Sequence, residues 1–157
     1  MKRRTNSTVE ANPMKIFTIG FTRKSAEEFF GLLKQPDLKR VVDVRLNNKS
    51  QLAGFAKQDD LRFFLRELLE VDYAHEPVLA PTQEMLDGYR KQQGSWDQYA
   101  SDFCALIEER QIEKVIDRKL LAGACLLCSE PTPHQCHRRL VAEYLREKWN
   151  VVEIQHL

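Results

Sequence analysis

The fold of this chain is decided by residues 122–149, Ala-Gly-Ala-Cys-Leu-Leu-Cys-Ser-Glu-Pro-Thr-Pro-His-Gln-Cys-His-Arg-Arg-Leu-Val-Ala-Glu-Tyr-Leu-Arg-Glu-Lys-Trp. An apolar run ends at Cys128. A short loop with Pro131 and Pro133 carries Glu130 and His134. Cys136, His137 and Arg138 then open an amphipathic helix whose apolar face is Leu140, Val141, Tyr144 and Leu145. The pattern reads as strand, loop, helix. Reactive side chains fall at the strand's C-terminal end and the helix's N-terminal end. Open parallel α/β sheets bind ligands at that edge. A helix N-terminus adds unpaired N–H groups and partial positive charge.

Working outward, the same alternation recurs. Residues 15–20, Lys-Ile-Phe-Thr-Ile-Gly, read as a first strand. Ser25 and Glu28 then form a capping-box pattern for a helix bearing Phe29, Phe30 and Leu33. Residues 40–45, Arg-Val-Val-Asp-Val-Arg, read as a second strand, followed by a polar loop over 46–57. A helix with Leu61, Phe64, Leu65, Leu68 and Leu69 on one face comes next, with Asp59 or Asp60 as its cap. Residues 71–75 make a short third strand. Helices are expected over 82–92 and after Ser95, the latter carrying Trp96, Tyr99, Ala100, Phe103 and Ile107. Residues 121–128 form a fourth strand, apolar on both faces and therefore central. A last strand is expected over 151–155.

This alternation predicts an α/β three-layer sandwich, with a mainly parallel five-stranded Rossmann-like sheet in the order 3-2-1-4-5. Residues 1–13 are polar and aperiodic and read as a disordered N-terminal extension; residues 14–157 read as a single domain. There is no internal repeat.

Composition narrows the function classes. The chain has 157 residues, 43% hydrophobic and 30% charged, with 24 basic and 23 acidic residues and a net charge of +1. That balance does not favour a protein that coats nucleic acid. No apolar run reaches the length of a membrane span, and the start of the chain lacks the apolar core of a signal peptide. The expectation is a cytoplasmic protein with no membrane partner, whose four cysteines are free, catalytic or metal-bound. Oligomeric state is not legible.

Four blocks resemble the bacterial family catalogued as domain of unknown function 488, DUF488. They are Thr18-Ile19-Gly20, Val42-Asp43-Val44-Arg45, Tyr73-Ala74-His75-Glu76-Pro77, and Cys128-Ser129-Glu130 followed by Cys136-His137-Arg138. The last block is the most specific. The resemblance implies a Rossmann-like fold and an active-site-like polar cluster. The chain departs from the family pattern at Phe21-Thr22, where a polar pair is usual. It also departs at 46–50, which lacks the usual proline, and at Leu79-Ala80-Pro81, where Leu-Gly-Gly is common.

The candidate catalytic residues are Cys128, Glu130, Cys136 and His137. The candidate substrate- and anion-binding residues are Arg45, His75 and Arg138. Helix N–H groups and Arg138 favour a thiolate on Cys136, with His137 as base; the competing reading is a small buried residue packing under the loop. Glu130 is an acid, a base, or a bidentate partner for Arg138. Arg45 either binds an anion or pairs with neighbouring Asp43. His75 is a ligand, a base or structural.

Cys125 and Cys128 have Cys-x-x-Cys spacing, but strand alternation points them to opposite faces. No metal is expected, although Cys128, His134, Cys136 and His137 leave a zinc alternative open without the usual paired spacing. No cofactor is specified. Neither a Gly-rich dinucleotide loop nor a Walker sequence is present, and no Arg stands six residues after Cys128 or Cys136 to wrap a phosphate. The resulting expectation is a small enzyme acting on an anionic, phosphate-bearing or nucleotide-like substrate. The alternative is a non-catalytic nucleic-acid-binding or regulatory sensor using the same pocket.

Overall fold

The structure is a computed structural model and describes residues 13–49, 53–150 and 152–157. Of the expected N-terminal extension only Pro13 is among them, so that expectation lies outside the described residues, as does Val151.

Five parallel strands form the sheet: β1 (Met14–Gly20), β2 (Arg40–Asp43), β3 (Asp72–His75), β4 (Ala124–Cys128) and β5 (Val152–His156). Among the described residues seven α-helices surround them: α1 (Ala26–Leu32), α2 (Gln58–Leu69), α3 (Gln83–Arg90), α4 (Trp96–Glu109), α5 (Ile112–Val115), α6 (Arg118–Leu121) and α7 (His137–Trp149). Local chemistry accounts for several boundaries. Ser25 and Glu28 close a complete capping box at α1, and the Thr82 and Ser95 hydroxyls cap α3 and α4. Neither Asp59 nor Asp60 caps α2; both lie in its first turn, where their charge suits the helix dipole, and Lys57 holds the cap position.

The strand order is β3-β2-β4-β1-β5, which corrects the expected 3-2-1-4-5. β4, not β1, is the middle strand. Its five residues are all buried, as a strand flanked on both edges and covered on both faces must be. The β1–β2 connection steps over β4, and hydrophobic patterning does not record which neighbour a crossover skips. The exchange has a functional consequence: β2 now lies directly beside β4, and the Val44 N–H donates to the Leu127 carbonyl at 3.1 Å.

Two cores flank the sheet. α1 and α2 pack Phe29, Phe30, Leu61 and Leu65 on Phe17, Ile19, Val41, Cys125 and Leu127. On the opposite face, α4 to α7 pack Phe103, Ile107, Ile112, Leu121, Leu140 and Val141 on Ile16, Val42, Val44, Leu126 and Cys128. Cys125 and Cys128 thus belong to different layers, as alternation requires. Among the described residues no helix is long and apolar enough to cross a membrane.

Candidate functional site

The site lies where β4 ends and α7 begins. Cys128 is the last residue of β4, Cys136 holds the N-cap position of α7, and His137 and Arg138 occupy its first turn. The loop 129–135 returns the chain to the same edge, helped by Gln135 at a φ of 50°. Gly20, beside Cys128 in the sheet, is required here: a Cβ at this position would lie 1.5 Å from the Glu130 carbonyl oxygen. The first resemblance block therefore ends in a glycine because the site loop crosses directly over it.

His137 is oriented from two sides. Its Nε2 lies 2.8 Å from the Val44 carbonyl, which only accepts, so Nε2 carries a hydrogen. Phe103 meets the ring edge-to-face at 5.4 Å between centroids. Nδ1 is left facing Cys128 Sγ at 3.5 Å. Cys128, Cys136 and His137 are all buried, and their donor atoms lie within 4.8 Å of one another.

The electrostatics lower Cys128 and raise Cys136, the reverse of the sequence expectation, which favoured a thiolate on Cys136. The hydrogen bond from Cys136 holds Cys128 well below the ordinary thiol range; burial opposes this and the His137 charge assists it. Cys136 is pushed up by that same hydrogen bond, by burial, and by the negative Cys128 sulfur. Burial disfavours a charged His137, but the adjacent Cys128 sulfur outweighs it and the imidazole is raised overall. Tyr99 is raised by burial and by both sulfurs, which keeps its phenol neutral.

Arg138 is fully buried. Its Nη1 donates to the Glu130 carbonyl at 2.8 Å and to Cys136 Sγ at 3.3 Å, and its Nε to the Thr18 hydroxyl at 3.4 Å. Among the described residues Nη2 has no hydrogen-bond partner. Among the described residues no carboxylate forms an ion pair with this guanidinium. Glu130 therefore engages Arg138 through its backbone rather than through the expected bidentate pair; its carboxylate faces Arg90 at 3.6 Å. Thr18 also contacts His156 Nδ1 at 2.6 Å, and the His156 ring is lowered by burial and by Arg138. Thr18 entered the sequence reading only as part of the first resemblance block, with no role of its own, and His156 did not enter it, since a histidine near the end of the chain carries no signature.

The remaining candidates sit elsewhere. Arg45 is on the α1–α2 face, over the Phe21 ring at 5.2 Å, and forms a bidentate pair with Asp43 at 2.8 and 2.7 Å. Its Nη2 also donates to the Ala56 carbonyl at 2.8 Å. Tyr73 donates to the same Asp43 at 2.6 Å and accepts from Asn48 at 3.2 Å. His75 Nε2 donates to the Arg45 carbonyl at 2.8 Å and lines a separate open cleft with Leu46, Asn47, Asn48, Lys49 and Gln58. His134 is exposed and does not join the cysteines.

The cluster is covered. Tyr89 of α3 with Trp96 and Tyr99 of α4 form an aromatic group, with ring centroids 4.9 to 5.9 Å apart. Beneath it, a cavity of about 20 Å³ is bounded by Glu130, Cys136 and His137 as well as by these rings. That is room for about one water. Trp96 and Tyr99 were expected as core residues; they are core and cover at once.

Compared with protein families, the chain matches the domain of unknown function DUF488 over residues 25–145. No curated protein and no solved structure matches it.

Proposed function

The chain belongs to the DUF488 family, and from the geometry of its site we propose that it is a small cytoplasmic enzyme acting on an anionic substrate that bears a phosphate or is nucleotide-like. The observation that carries this reading is Arg138. A guanidinium taken wholly out of water costs several kcal/mol unless a counter-charge or a full set of acceptors compensates. Among the described residues Arg138 has a carbonyl, a hydroxyl and a thiol as acceptors, one nitrogen without a partner, and no carboxylate. A substrate oxyanion supplies what is missing.

Around it the roles divide by geometry. Cys128 is the reacting sulfur, because His137 is tied at Nε2 and presents Nδ1 to it. Cys136 donates to that sulfur. Glu130, half-exposed at the rim, exchanges protons with the substrate. Arg45 and His75 frame the edge from the other side. A cavity of about 20 Å³ holds no substrate, so binding displaces the Tyr89–Trp96–Tyr99 cover and parts Arg90 from Glu130.

Ligand-dependent thermal unfolding tests this. Phosphate and nucleotides should raise the melting temperature of the wild-type protein. Losing one charged contact costs about 1.5–3 kcal/mol, so Arg138→Ala should bind them roughly tenfold to a hundredfold more weakly while keeping its far-UV spectrum. Arg138→Lys, which keeps the charge and loses the fork, should fall between. No stabilisation of either protein by phosphate or nucleotides removes the anion reading. Turnover lost in Cys128→Ala with binding retained separates an enzyme from a sensor.

A further inference from the structure

We propose that Cys128 Sγ, Cys136 Sγ and His137 Nδ1 form a three-ligand site for a soft divalent cation, Zn²⁺, with a fourth position open to a water or an anion. The three donor atoms already lie within 4.8 Å of one another, on residues that are all buried. With Zn–S near 2.3 Å and Zn–N near 2.0–2.1 Å, a tetrahedral site has an S···N edge of about 3.5 Å. The Cys128 Sγ to His137 Nδ1 distance is 3.5 Å. That edge is met without moving either side chain.

The surroundings match what a metal-binding histidine needs. Its other ring nitrogen donates to the Val44 carbonyl, which fixes the tautomer and aims Nδ1 at the sulfurs. Arg138 Nη1 donates to Cys136 Sγ at 3.3 Å, which favours that sulfur as a thiolate ligand. The two thiolates offset the ion's charge, and Arg138 leaves the centre with a net positive charge that suits an anion in the fourth position. The cavity of about 20 Å³ touches Cys136 and His137 and has room for that fourth ligand as a water. The trio contains no oxygen donor, which excludes Mg²⁺ and Ca²⁺ as natural occupants. The spacing Cys-x7-Cys-His hides the site from pair-based motif reading: β4 supplies one ligand and the start of α7 the other two.

The inference does not depend on the anion reading, although the two share a site. A bound zinc ion takes the Cys128 sulfur out of nucleophilic use, so ligand and nucleophile are roles of the metal-loaded and metal-free forms.

The test uses the full chain, stripped with chelator and titrated with Co²⁺ as a spectroscopic probe. One equivalent should give thiolate-to-cobalt charge-transfer absorption and the intense visible bands of a tetrahedral site, and Zn²⁺ should abolish both by displacement. Cys128→Ser, Cys136→Ser and His137→Gln should each lose the charge-transfer intensity or the tetrahedral bands. Cys104→Ser and Cys125→Ser should keep them. If Cys128→Ser fails to fold, Cys136→Ser, at the loop–helix junction, carries the comparison. Absent bands in the wild-type protein, or bands that survive Cys136→Ser, overturn the proposal. Phosphate stabilisation of the stripped protein without cobalt bands removes the metal site alone. Cobalt bands without phosphate stabilisation remove the anion reading alone.

Discussion

Arg45 and Arg138 are both buried at the C-terminal edge of one sheet, on opposite faces, and the two are held in opposite ways. Arg45 has a bidentate carboxylate, a backbone carbonyl and an aromatic face. Asp43, its partner, is in turn held by Tyr73. Among the described residues Arg138 has no carboxylate and one nitrogen with no partner. Two buried guanidiniums of the same chain thus show what saturation looks like and what its lack looks like. The first belongs to the framework that fixes β2 and β3. The second is placed beside two cysteines and a histidine, where an incoming anion completes it.

The contrast can be broken from the Arg45 side first. Asp43→Ala leaves a buried cation without its counter-charge and should cost about 3–5 kcal/mol, read as the free energy of urea unfolding. A loss below about 1 kcal/mol would mean that water reaches Arg45 and that the pair is not structural. Tyr73→Phe removes one hydrogen bond to a charged group and should cost about 1.5–3 kcal/mol, with no change in anion binding. A change in phosphate affinity in this variant would join the two faces into one site.

On the Arg138 side, Gly20→Ala drives a methyl into the Glu130 carbonyl. Overpacking of this kind costs about 1–3 kcal/mol. Because that carbonyl accepts from Arg138, anion binding should weaken along with stability. Unchanged binding would show that the loop can withdraw without disturbing Arg138. The smallest effect is expected from Arg90→Ala. The Arg90–Glu130 pair is about half exposed on both sides, and such pairs are worth about 0–1 kcal/mol. Stability should barely move, whereas alkylation of Cys128, the sulfur held low, should speed up as the cover loosens. Unaltered alkylation would place the route of entry elsewhere.

Much of this frame was readable from the residues. Ala124–Cys128 is apolar on both faces, and it is the central strand because only a strand paired on both edges and covered on both faces buries such a run. Ser25 with Glu28 marked a helix start correctly, since a capping box is a local chemical event. Strand order was not readable. Whether the β1–β2 crossover skips a neighbour depends on which pairing buries most, a property of the whole sheet. The joining of Cys128 to Cys136, His137 and Arg138 followed from strand–loop–helix geometry. The separation of Arg45 from Arg138 did not: it depends on which face each residue takes once β2 lies beside β4. The role of Val44 was not readable because its contribution is a backbone carbonyl, and a sequence gives backbone groups no identity.

The central claim is that the two arginines differ in readiness to bind an anion, and locating a heavy oxyanion in a crystal tests it most directly. A crystal soaked in selenate, an anomalous scatterer with the shape of sulfate and phosphate, should show its selenium beside Arg138, with an oxygen within hydrogen-bonding distance of Nη2, and none beside Arg45. An anomalous peak at Arg45, or a crystal saturated with selenate in which Arg138 stays bare, would contradict the account.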